Sequence, residues 1–356
     1  MRLKILIIGP ALSMGGMERA SVNLANSLAD EGYAVTYLAI FSKPHFFKLH
    51  ASIAIFEPEG FNVKKLDLMR TCLWIRKSVK EINPETTLVF NKFYAALTLL
   101  GLVGTGRKVF ISERSSPFYQ WKRKINLINK FAFTINPPTG VMAQTTIAAE
   151  YQRKYYGKNV FVKVIPNALR KVALYPELKR ENTILAVGRF GDRLKGFDQL
   201  IVAFSKVQNK DWKLVFAGGD EDGDDLKALA RNLGVFERIV FLGKVTEIDK
   251  IYATAGIFVI PSRSEGFPNA LCEAMAAGVP CVSFNFTAGP ADIITDNFDG
   301  IIAENGNADA LAQAIDSLIS DPERRDTIGK NAMAIVERLA PKKISSEVID
   351  LIFNKK

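Results

Sequence analysis

Two acidic residues, Glu265 and Glu273, lie eight positions apart in the segment 261–280. Glu265 follows an apolar run, residues 256–260, that is typical of a buried strand, and Glu273 falls in a short helix that ends near Gly278. A carboxylate accepts hydrogen bonds from ligand hydroxyls, and one in the helix can hold two neighbouring hydroxyls of a ribose. Free amides at the start of the helix can face a phosphate. The segment therefore predicts a ligand with hydroxyl and phosphate groups, the alternative being a helix cap and a solvated acid.

Two cations, Arg189 and Lys195, stand in a predicted loop between the strand Thr183–Val187 and an amphipathic helix. Cations in this place can converge on two phosphates. Near the chain start, Gly15 and Gly16 precede another helix, and residues without a side chain let backbone amides approach a ligand closely. Together these residues predict a diphosphate held from two sides. Surface decoration and an ordinary strand-to-helix turn are the alternatives.

An alternation of strands and helices must position these residues. Short apolar runs predict strands at 3–8, 35–41, 86–90, 108–111, 140–144 and 160–165. A charge-rich stretch, residues 170–182, then reads as a linker, and the alternation starts again at residue 183. The pattern predicts an α/β protein with two parallel-sheet domains, at 1–172 and 173–338, followed by a last helix within 339–356.

Length and composition agree with two soluble domains. The chain has 356 residues, which is long for one domain, and three cysteines without metal spacing, which favours a reducing cytoplasm. The apolar run at the chain start is short and predicts a first strand rather than a signal peptide. Residues 93–106 are too few to span a bilayer. His45 and His50 have no acid or cysteine at ligand spacing, which disfavours zinc chemistry and a histidine-dependent triad.

Positive charge is concentrated in the first half of the chain. Residues 1–175 carry a net charge of +15 and the remainder −5, within a total of +10. The basic half should attract an anionic surface, and a lipid surface ranks above nucleic acid because no nucleic-acid-binding module is recognisable. Basic residues accompany Trp74 in the helical segment 67–82 and Trp121 in the segment 118–133. These segments suit a membrane interface or, alternatively, a solvated helix and an inward-facing aromatic stripe.

Three motifs in order resemble those of a known enzyme family. Residues 265–280, Glu-Gly-Phe-Pro-Asn-Ala-Leu-Cys-Glu-Ala-Met-Ala-Ala-Gly-Val-Pro, resemble the E-x7-E signature of the retaining glycosyltransferases of family four. Gly-Gly-Met-Glu-Arg at 15–19 is similar to their amino-terminal glycine loop, and residues 188–197 resemble their diphosphate-binding loop. The resemblance covers nearly the whole chain and implies the GT-B fold, two Rossmann-like doubly wound domains facing across a cleft. It also implies that the last helix crosses back to the first domain.

The resemblance implies transfer of a sugar from a nucleoside diphosphate sugar, with retention at the anomeric carbon and without a metal or other cofactor. Arg189 and Lys195 would stabilise the leaving diphosphate as catalytic residues, and Glu265 would position the sugar. Glu273 would hold the ribose. The implied donor-binding residues are Gly15, Gly16, Arg189, Lys195, Lys244, Val245, Glu265, Gly266, Phe267, Asn269, Ala270, Leu271 and Glu273.

The acceptor side is predicted less directly. Glu18 and Arg19 of the glycine loop, with Glu113 and Arg114, are the candidate residues, although many relatives have a histidine near residues 112–114. The basic first domain predicts a lipid-linked saccharide acceptor at the inner face of the cell membrane. Similar relatives build bacterial surface polysaccharides, including lipopolysaccharide, from UDP-sugars, often N-acetylhexosamines. We therefore expect a cytoplasmic, peripheral membrane enzyme without a nucleic-acid partner.

Three alternatives stay open on the sequence. The enzyme could be a mannosyl- or glucosyltransferase with another nucleotide donor, or use a soluble acceptor. A rival from another class is a catalytically silent, nucleotide-binding subunit at the membrane surface. An acidic cluster at residues 220–225 would suit a divalent cation. We predict a turn and helix start there instead, because the chain already supplies cations for the diphosphate.

Overall fold

The computed structural model of the protein describes residues 3–116, 119–219, 223–287 and 289–353. The chain forms two compact units. Unit 1 consists of Met1–Ala168 together with Leu339–Lys356, and unit 2 is Leu169–Arg338. The change from unit 1 to unit 2 therefore comes four residues before the boundary at residue 172 that the charge-rich stretch predicts.

Unit 1 is built on a parallel sheet. Its strands are β1 (Lys4–Gly9), β2 (Ala34–Ala39), β3 (Ala54–Phe56), β4 (Thr86–Phe90), β5 (Val109–Ser112), β6 (Gly140–Ala143) and β7 (Phe161–Val164). Its helices in this part of the chain are α1 (Gly16–Asp30), α2 (Leu68–Ile82), α3 (Lys92–Gly101), α4 (Arg123–Ile135) and α5 (Thr146–Tyr156). The strand order among the described residues is β3-β2-β1-β4-β5-β6-β7, with every neighbouring pair parallel.

The central strands of this sheet are buried along most of their length, as expected for a parallel sheet that helices cover on both faces. Ile5, Leu6, Ile7 and Ile8 of β1 are all buried, and so is every residue of β4. Such a continuous apolar run predicts a central parallel strand, as the sequence indicates for residues 3–8. The order of the strands reverses between β1 and β4, and a parallel α/β sheet binds its ligands at the carboxyl ends of the strands at that point.

Unit 2 repeats the same plan. Its strands are β8 (Thr183–Val187), β9 (Lys213–Ala217), β10 (Ile239–Phe241), β11 (Ile257–Ile260), β12 (Cys281–Phe284) and β13 (Ile301–Ala303). Its helices are α6 (Phe197–Lys206), α7 (Asp224–Asn232), α8 (Ile248–Thr254), α9 (Asn269–Ala276), α10 (Ala308–Ser320), α11 (Pro322–Ala332) and α12 (Ile335–Arg338). The described strands are parallel in the order β10-β9-β8-β11-β12-β13, with the reversal between β8 and β11. The two sheets confirm the predicted α/β class with two doubly wound, Rossmann-like units.

The last helix, α13 (Pro341–Phe353), belongs to unit 1. Its apolar side chains Ile344, Val348, Leu351 and Ile352 are buried. The hydroxyl of Ser345 lies 2.7 Å from that of Ser27 on α1. Burial of side chains of this size stabilises a fold by about 1.5–3 kcal/mol each, so α13 contributes substantially to the core of unit 1.

Two stretches singled out in the sequence lie in or beside helices. Gly15 and Gly16 are predicted to precede a helix, whereas in the structure Gly15 is the N-cap residue of α1 and Gly16 is its first residue. Residues 93–101 of the apolar run considered for a bilayer span lie in α3, where most side chains are buried. Among the residues that the structure describes, no helix combines the length and apolarity of a membrane span.

Candidate active site

The loops after β8 and β11 bring Lys195 and Glu265 together, at the reversal point of the unit 2 sheet. The Lys195 Nζ atom lies 2.8 Å from Glu265 Oε1, and the Ser262 hydroxyl donates to the same oxygen at 2.7 Å. Both charged side chains are largely buried. Charge-assisted hydrogen bonds of this length fix the orientation of the carboxylate and of the ammonium group.

Gly196 allows the two loops to approach. Its φ of 68° lies in the left-handed region, and a Cβ atom there would come within 2.0 Å of the Pro261 carbonyl oxygen. The Arg263 amide donates to the Leu194 carbonyl at 2.8 Å, directly beside this contact. Any larger residue at position 196 would push the Lys195 loop away from the Glu265 loop.

A bidentate ion pair reinforces this junction. The Arg263 guanidinium donates to both carboxylate oxygens of Asp198 on α6, at 2.7 and 2.6 Å. The hydrogen bonds from Arg263 lower the pKa of Asp198, and burial of that carboxyl opposes the shift only in part. The pair ties the loop after β11 to the helix that follows the Lys195 loop.

Arg189 lies in the same loop as Lys195 but in a different environment. Its side chain is 75% exposed and donates to Asp192 at 2.8 Å. Its backbone is held closely, because a Cβ atom on Gly219 after β9 would meet the Phe190 amide nitrogen at 3.0 Å. The structure therefore holds Lys195 against Glu265 and leaves Arg189 at the surface, and their roles toward a diphosphate stay predictions.

Glu273 is buried on α9 and is bound by Arg170. The Glu273 Oε2 atom accepts from Arg170 Nη2 at 3.1 Å and from the Tyr252 hydroxyl at 3.4 Å. Arg170 also donates to both carboxylate oxygens of Asp249 on α8, at 3.0 and 2.5 Å. One guanidinium thus binds the buried Glu273 and the partly buried Asp249, and it orients Glu273.

The charges in this cluster shift the neighbouring pKa values in the expected directions. Burial opposes the charged form of Arg170, but the hydrogen bonds to Asp249 and Glu273 outweigh it and raise the Arg170 pKa. Burial would raise the pKa of Asp249, yet the hydrogen bonds from Arg170 lower it overall. Burial, together with the Glu273 charge, raises the pKa of the Tyr252 hydroxyl well above its usual value. Tyr252 is therefore a hydrogen-bond donor to Glu273 at neutral pH.

Arg170 was not predicted as a site residue, because it falls in the charge-rich stretch interpreted as a linker. Its partners are 79 and 103 positions away. No local pattern signals such a pairing, since the three residues meet only when α8 and α9 are in place.

The remaining predicted donor-binding residues of unit 2 lie in loops and at a helix start. Phe267 and Leu271 are buried, so their side chains serve the core, and only their backbone remains for a ligand. Gly266 and Ala270 are half-buried, and Asn269 is exposed at the start of α9. Lys244 and Val245 are in the loop between β10 and α8. The Gly218 amide ties this loop to the end of β9 by donating to the Gly243 carbonyl at 2.6 Å.

The glycine loop of unit 1 lies at the start of α1, after β1. A Cβ atom on Gly15 would meet Glu18 Oε2 at 2.1 Å, so the Glu18 carboxylate folds over Gly15. A Cβ atom on Gly16 would have no neighbour within 4 Å. Arg19 is exposed and its amide donates to the Gly15 carbonyl at 3.0 Å. An acid in the first turn is favourable for the helix dipole, and it also lowers the attraction of this helix end for an anion.

Glu113 and Arg114 follow β5 in unit 1. The Arg114 Nε atom donates to the Ser112 hydroxyl at 2.6 Å, and its Nη1 atom donates to the Asn167 side chain. The guanidinium lies 5.0 Å from the centre of the Phe90 ring. Glu113 is buried, and its Oε1 atom accepts from the Ser115 amide at 3.1 Å. Arg114 therefore joins the ends of three segments, and Glu113 faces a separate cavity.

Within the described ranges, no three His, Cys, Asp or Glu residues are placed to hold a metal ion. Asp224 and Asp225 of the acidic cluster lie in the first turn of α7, as a helix start predicts. Asp220, Glu221 and Asp222 lie outside the described residues. His45 is exposed and lies 3.1 Å from a carboxylate oxygen of Glu57, a pairing that serves the surface of unit 1.

Comparisons with known proteins relate the chain to glycosyltransferases. Residues 173–334 match the family model of the glycosyl transferases group 1. An uncharacterized glycosyltransferase of Haemophilus influenzae is 29% identical over 315 residues, which cover 87% of this chain and 88% of that protein. An alpha-1,4-N-acetyl-D-galactosaminyltransferase of Campylobacter jejuni, whose name gives an undecaprenol-PP-linked saccharide as its acceptor, is 25% identical, with 98% of each chain covered.

A solved structure shows the same fold. The crystal structure of Anabaena HepE in complex with UDP has a TM-score of 0.79, with 98% of this chain and 99% of that chain covered at 16% identity. Both Rossmann-like units therefore find their counterpart in one GT-B structure. The chain therefore has the GT-B fold, and most of its second unit matches the model of the glycosyl transferases group 1.

Proposed function

We propose that the protein transfers a sugar, with retention of anomeric configuration, from a UDP-sugar to a hydroxyl of a lipid-linked saccharide in the synthesis of a surface glycan. The observation that carries the proposal is the Lys195–Glu265 pair at the reversal point of the unit 2 sheet, with Glu273 on the adjoining helix. The UDP-bound Anabaena structure supports the nucleotide, and the name of the Campylobacter relative supports an N-acetylhexosamine donor and a polyprenyl-linked acceptor.

In this proposal, Lys195 binds the diphosphate of the donor and Glu265 binds its sugar. An ammonium group has three N–H donors, so the bond to Glu265 leaves two for phosphate oxygens. Negative charge grows on the leaving diphosphate as the glycosidic bond breaks, and a fixed cation lowers the energy of that transition state. Glu265 Oε1 accepts from Lys195 and Ser262, so Oε2 remains to accept from a hydroxyl of the donor sugar.

Arg189 and Glu273 complete the donor site in this proposal. The exposed Arg189 side chain forms a surface pair with Asp192, and a surface pair contributes little to stability, so a diphosphate can draw Arg189 inward at little cost. Glu273, oriented by Arg170, holds the ribose hydroxyls. Gly15 and Gly16 stay predicted donor-binding residues. No metal or further cofactor takes part in this scheme, because the protein cations neutralise the diphosphate.

Nucleotide release is the direct test of this function. We expect the purified protein to release UDP from a UDP-N-acetylhexosamine only when a polyprenyl diphosphate-linked saccharide is supplied. GDP-sugars and lipid-free saccharides serve as matched comparisons for the alternatives of another donor or a soluble acceptor. A protein that binds the donor but releases no nucleotide with any acceptor would instead be a non-catalytic subunit, and the proposal would fail.

Helix α4 supports contact of unit 1 with a membrane surface. Leu127, Phe131 and Ile135 are exposed at four-residue spacing and form one apolar stripe. Lys122, Arg123, Lys124 and Lys130 are exposed beside it. An apolar stripe flanked by cations suits the boundary between anionic headgroups and acyl chains. We propose that α4 docks on the cytoplasmic face of the membrane.

Vesicle binding tests this surface. We expect Phe131→Gln to weaken binding to vesicles that contain anionic lipid by about tenfold, because the side chain is 60% exposed and would be buried in the interface. Phe298→Gln in unit 2 is the matched control, since Phe298 is 56% exposed and lies outside the stripe. Equal co-sedimentation of the two variants and the unchanged protein would exclude α4 as the contact surface.

A further inference from the structure

Unit 1 contains a cavity that the donor site does not use. It has a volume of about 760 Å³, within the range of small-molecule pockets. The first residue of α3, the loop after β5 and the facing sides of α4 and α5 form its walls. The lining residues that matter here are Lys92, Glu113, Trp121, Gln152, Tyr155 and Tyr156.

Three polar atoms in this wall have no hydrogen-bond partner among the residues that the structure describes. They are Glu113 Oε2, Gln152 Oε1 and the Tyr156 hydroxyl. Glu113 is only 4% exposed and Gln152 only 1%, so water does not satisfy these atoms from bulk solvent. A buried polar atom without a partner costs about 1–3 kcal/mol, and three such atoms, one after β5 and two on α5, are more than packing alone explains.

The chemistry of these atoms selects the ligand. A carboxylate oxygen and an amide oxygen are acceptors, and a tyrosine hydroxyl is both donor and acceptor. The ligand must therefore offer hydrogen-bond donors. A phosphate at neutral pH offers mainly acceptors and is repelled by Glu113. Hydroxyl and acetamido groups of a sugar provide both kinds of partner.

Lys92, the buried cation of the cavity wall, already contacts aromatic rings. The Lys92 ammonium lies 3.8 Å from the centre of the Tyr155 ring and 5.7 Å from that of Tyr156. Burial lowers the pKa of Lys92, and the nearby Glu113 carboxylate opposes the shift. The wall also contains Lys130, which is exposed to solvent, whereas Lys92 and Glu113 are both buried. The buried part of the wall therefore pairs one cation with one anion, which favours an uncharged ligand.

Aromatic rings in the cavity wall provide apolar surface in addition to the hydrogen-bonding groups. Trp121 and Tyr119 form an edge-on pair with ring centres 4.9 Å apart in the loop after β5, and both line the cavity. The faces of aromatic rings are electron-rich and pack against the C–H faces of a pyranose. Apolar ring surface beside unsatisfied acceptors is the combination that a sugar needs.

We propose that this cavity binds an uncharged sugar unit of the acceptor saccharide, with Glu113, Gln152 and Tyr156 as its hydrogen-bond partners. The identification of the sugar as part of the acceptor rests on the proposed function, whereas the sugar site itself does not. The cavity then sets the specificity for the acceptor glycan, separately from the donor contacts of unit 2.

Ligand-observed NMR with the full chain tests the site. The probes are N-acetylgalactosamine, N-acetylglucosamine and glucose, each compared with its 1-phosphate. We expect binding of at least one neutral sugar, and about tenfold weaker binding by Tyr156→Phe and by Glu113→Gln, since each loses one hydrogen bond. Tyr33→Phe, which changes a tyrosine of unit 1 outside the cavity, is expected to bind as the unchanged protein does.

The same variants distinguish binding from folding. Tyr156→Phe removes a hydroxyl that has no partner, so its Tm is expected to equal or exceed that of the unchanged protein. The proposal is overturned if no neutral sugar binds, if the 1-phosphates bind more tightly than the neutral sugars, or if both cavity variants bind normally. Sugar binding without nucleotide release in the enzyme assay would defeat the proposed function and leave the sugar site standing.

Discussion

Lys195→Met is expected to lower kcat by about 100- to 1000-fold, the loss seen when one fixed donor to a developing negative charge is removed. Methionine keeps the apolar stem of the side chain, which lies beside Gly188, and deletes only the ammonium group. A steady-state assay of nucleotide release measures the effect. Lys206→Met is the matched control, because it breaks a lysine pair with Asp309 of 2.6 Å in the same unit, at an exposed site, and should leave kcat unchanged.

Stability measurements separate this loss from misfolding. Lys195→Met leaves Glu265 with the Ser262 bond alone, so we expect the free energy of unfolding to fall by about 1–3 kcal/mol. Adding Glu265→Gln removes the unpaired charge and should recover most of the stability but none of the activity. Unchanged turnover in Lys195→Met would remove this residue from the site.

Arg170→Met is expected to have the largest effect on stability and a second effect on donor binding. The substitution leaves Asp249 and Glu273 buried without their cation, which costs about 3–5 kcal/mol in comparable buried pairs. Glu273 also loses its orientation, so KM for the nucleotide sugar should rise more than kcat falls. Denaturant unfolding and steady-state kinetics measure the two effects. Arg170→Lys should recover part of the stability, because it restores the charge without the bidentate geometry.

The stability that Arg170→Met loses is expected to become smaller at acidic pH. Asp249 has a pKa below that of the unfolded chain, where an aspartate titrates at about 3.9. Its contribution to stability is therefore fully present above pH 4 and is lost as the pH falls through the lower folded pKa. The stability difference between Arg170→Met and the unchanged protein should shrink in that acidic range. A difference that stays constant there would show that Arg170 acts through packing and not through Asp249.

Arg263→Met is the control for the role of burial. Arg263 forms a bidentate pair as well, but its partner Asp198 is about half exposed. We expect a cost below about 1 kcal/mol for this variant, since exposed ion pairs contribute little to stability. A cost equal to that of Arg170→Met would mean that pair geometry, and not burial, determines the loss.

Local signals predicted the strands and the main site loops well. Strands β4 and β8 have the predicted bounds, 86–90 and 183–187, because strands buried on both faces leave a nearly continuous hydrophobic run. Lys195 and Glu265 were predicted as separate members of one site, and the sheet order explains why they meet. Their loops follow adjacent strands, β8 and β11, and Gly196 permits contact between them.

Features that depend on contacts between residues far apart in the chain could not be predicted from the sequence. The edge strand β3 is short and largely exposed, so it lacks a hydrophobic signal. Arg170 resembles any residue of a charged linker until α8 and α9 supply Asp249 and Glu273. The cavity of unit 1 is lined by residues from four segments of the chain. The sequence does not show that Glu113 and Gln152 are buried there, or that one oxygen of each lacks a partner among the described residues.

The position of α13 has a consequence for the order of assembly. Unit 1 receives its last helix from residues that follow the whole of unit 2, whereas unit 2 is one continuous stretch of chain. During synthesis, the later unit can therefore complete its fold before the earlier one does. Until α13 is synthesised, the surface of α1 around Ser27 stays uncovered. A chaperone that binds exposed apolar helices could bind the unfinished chain at this surface.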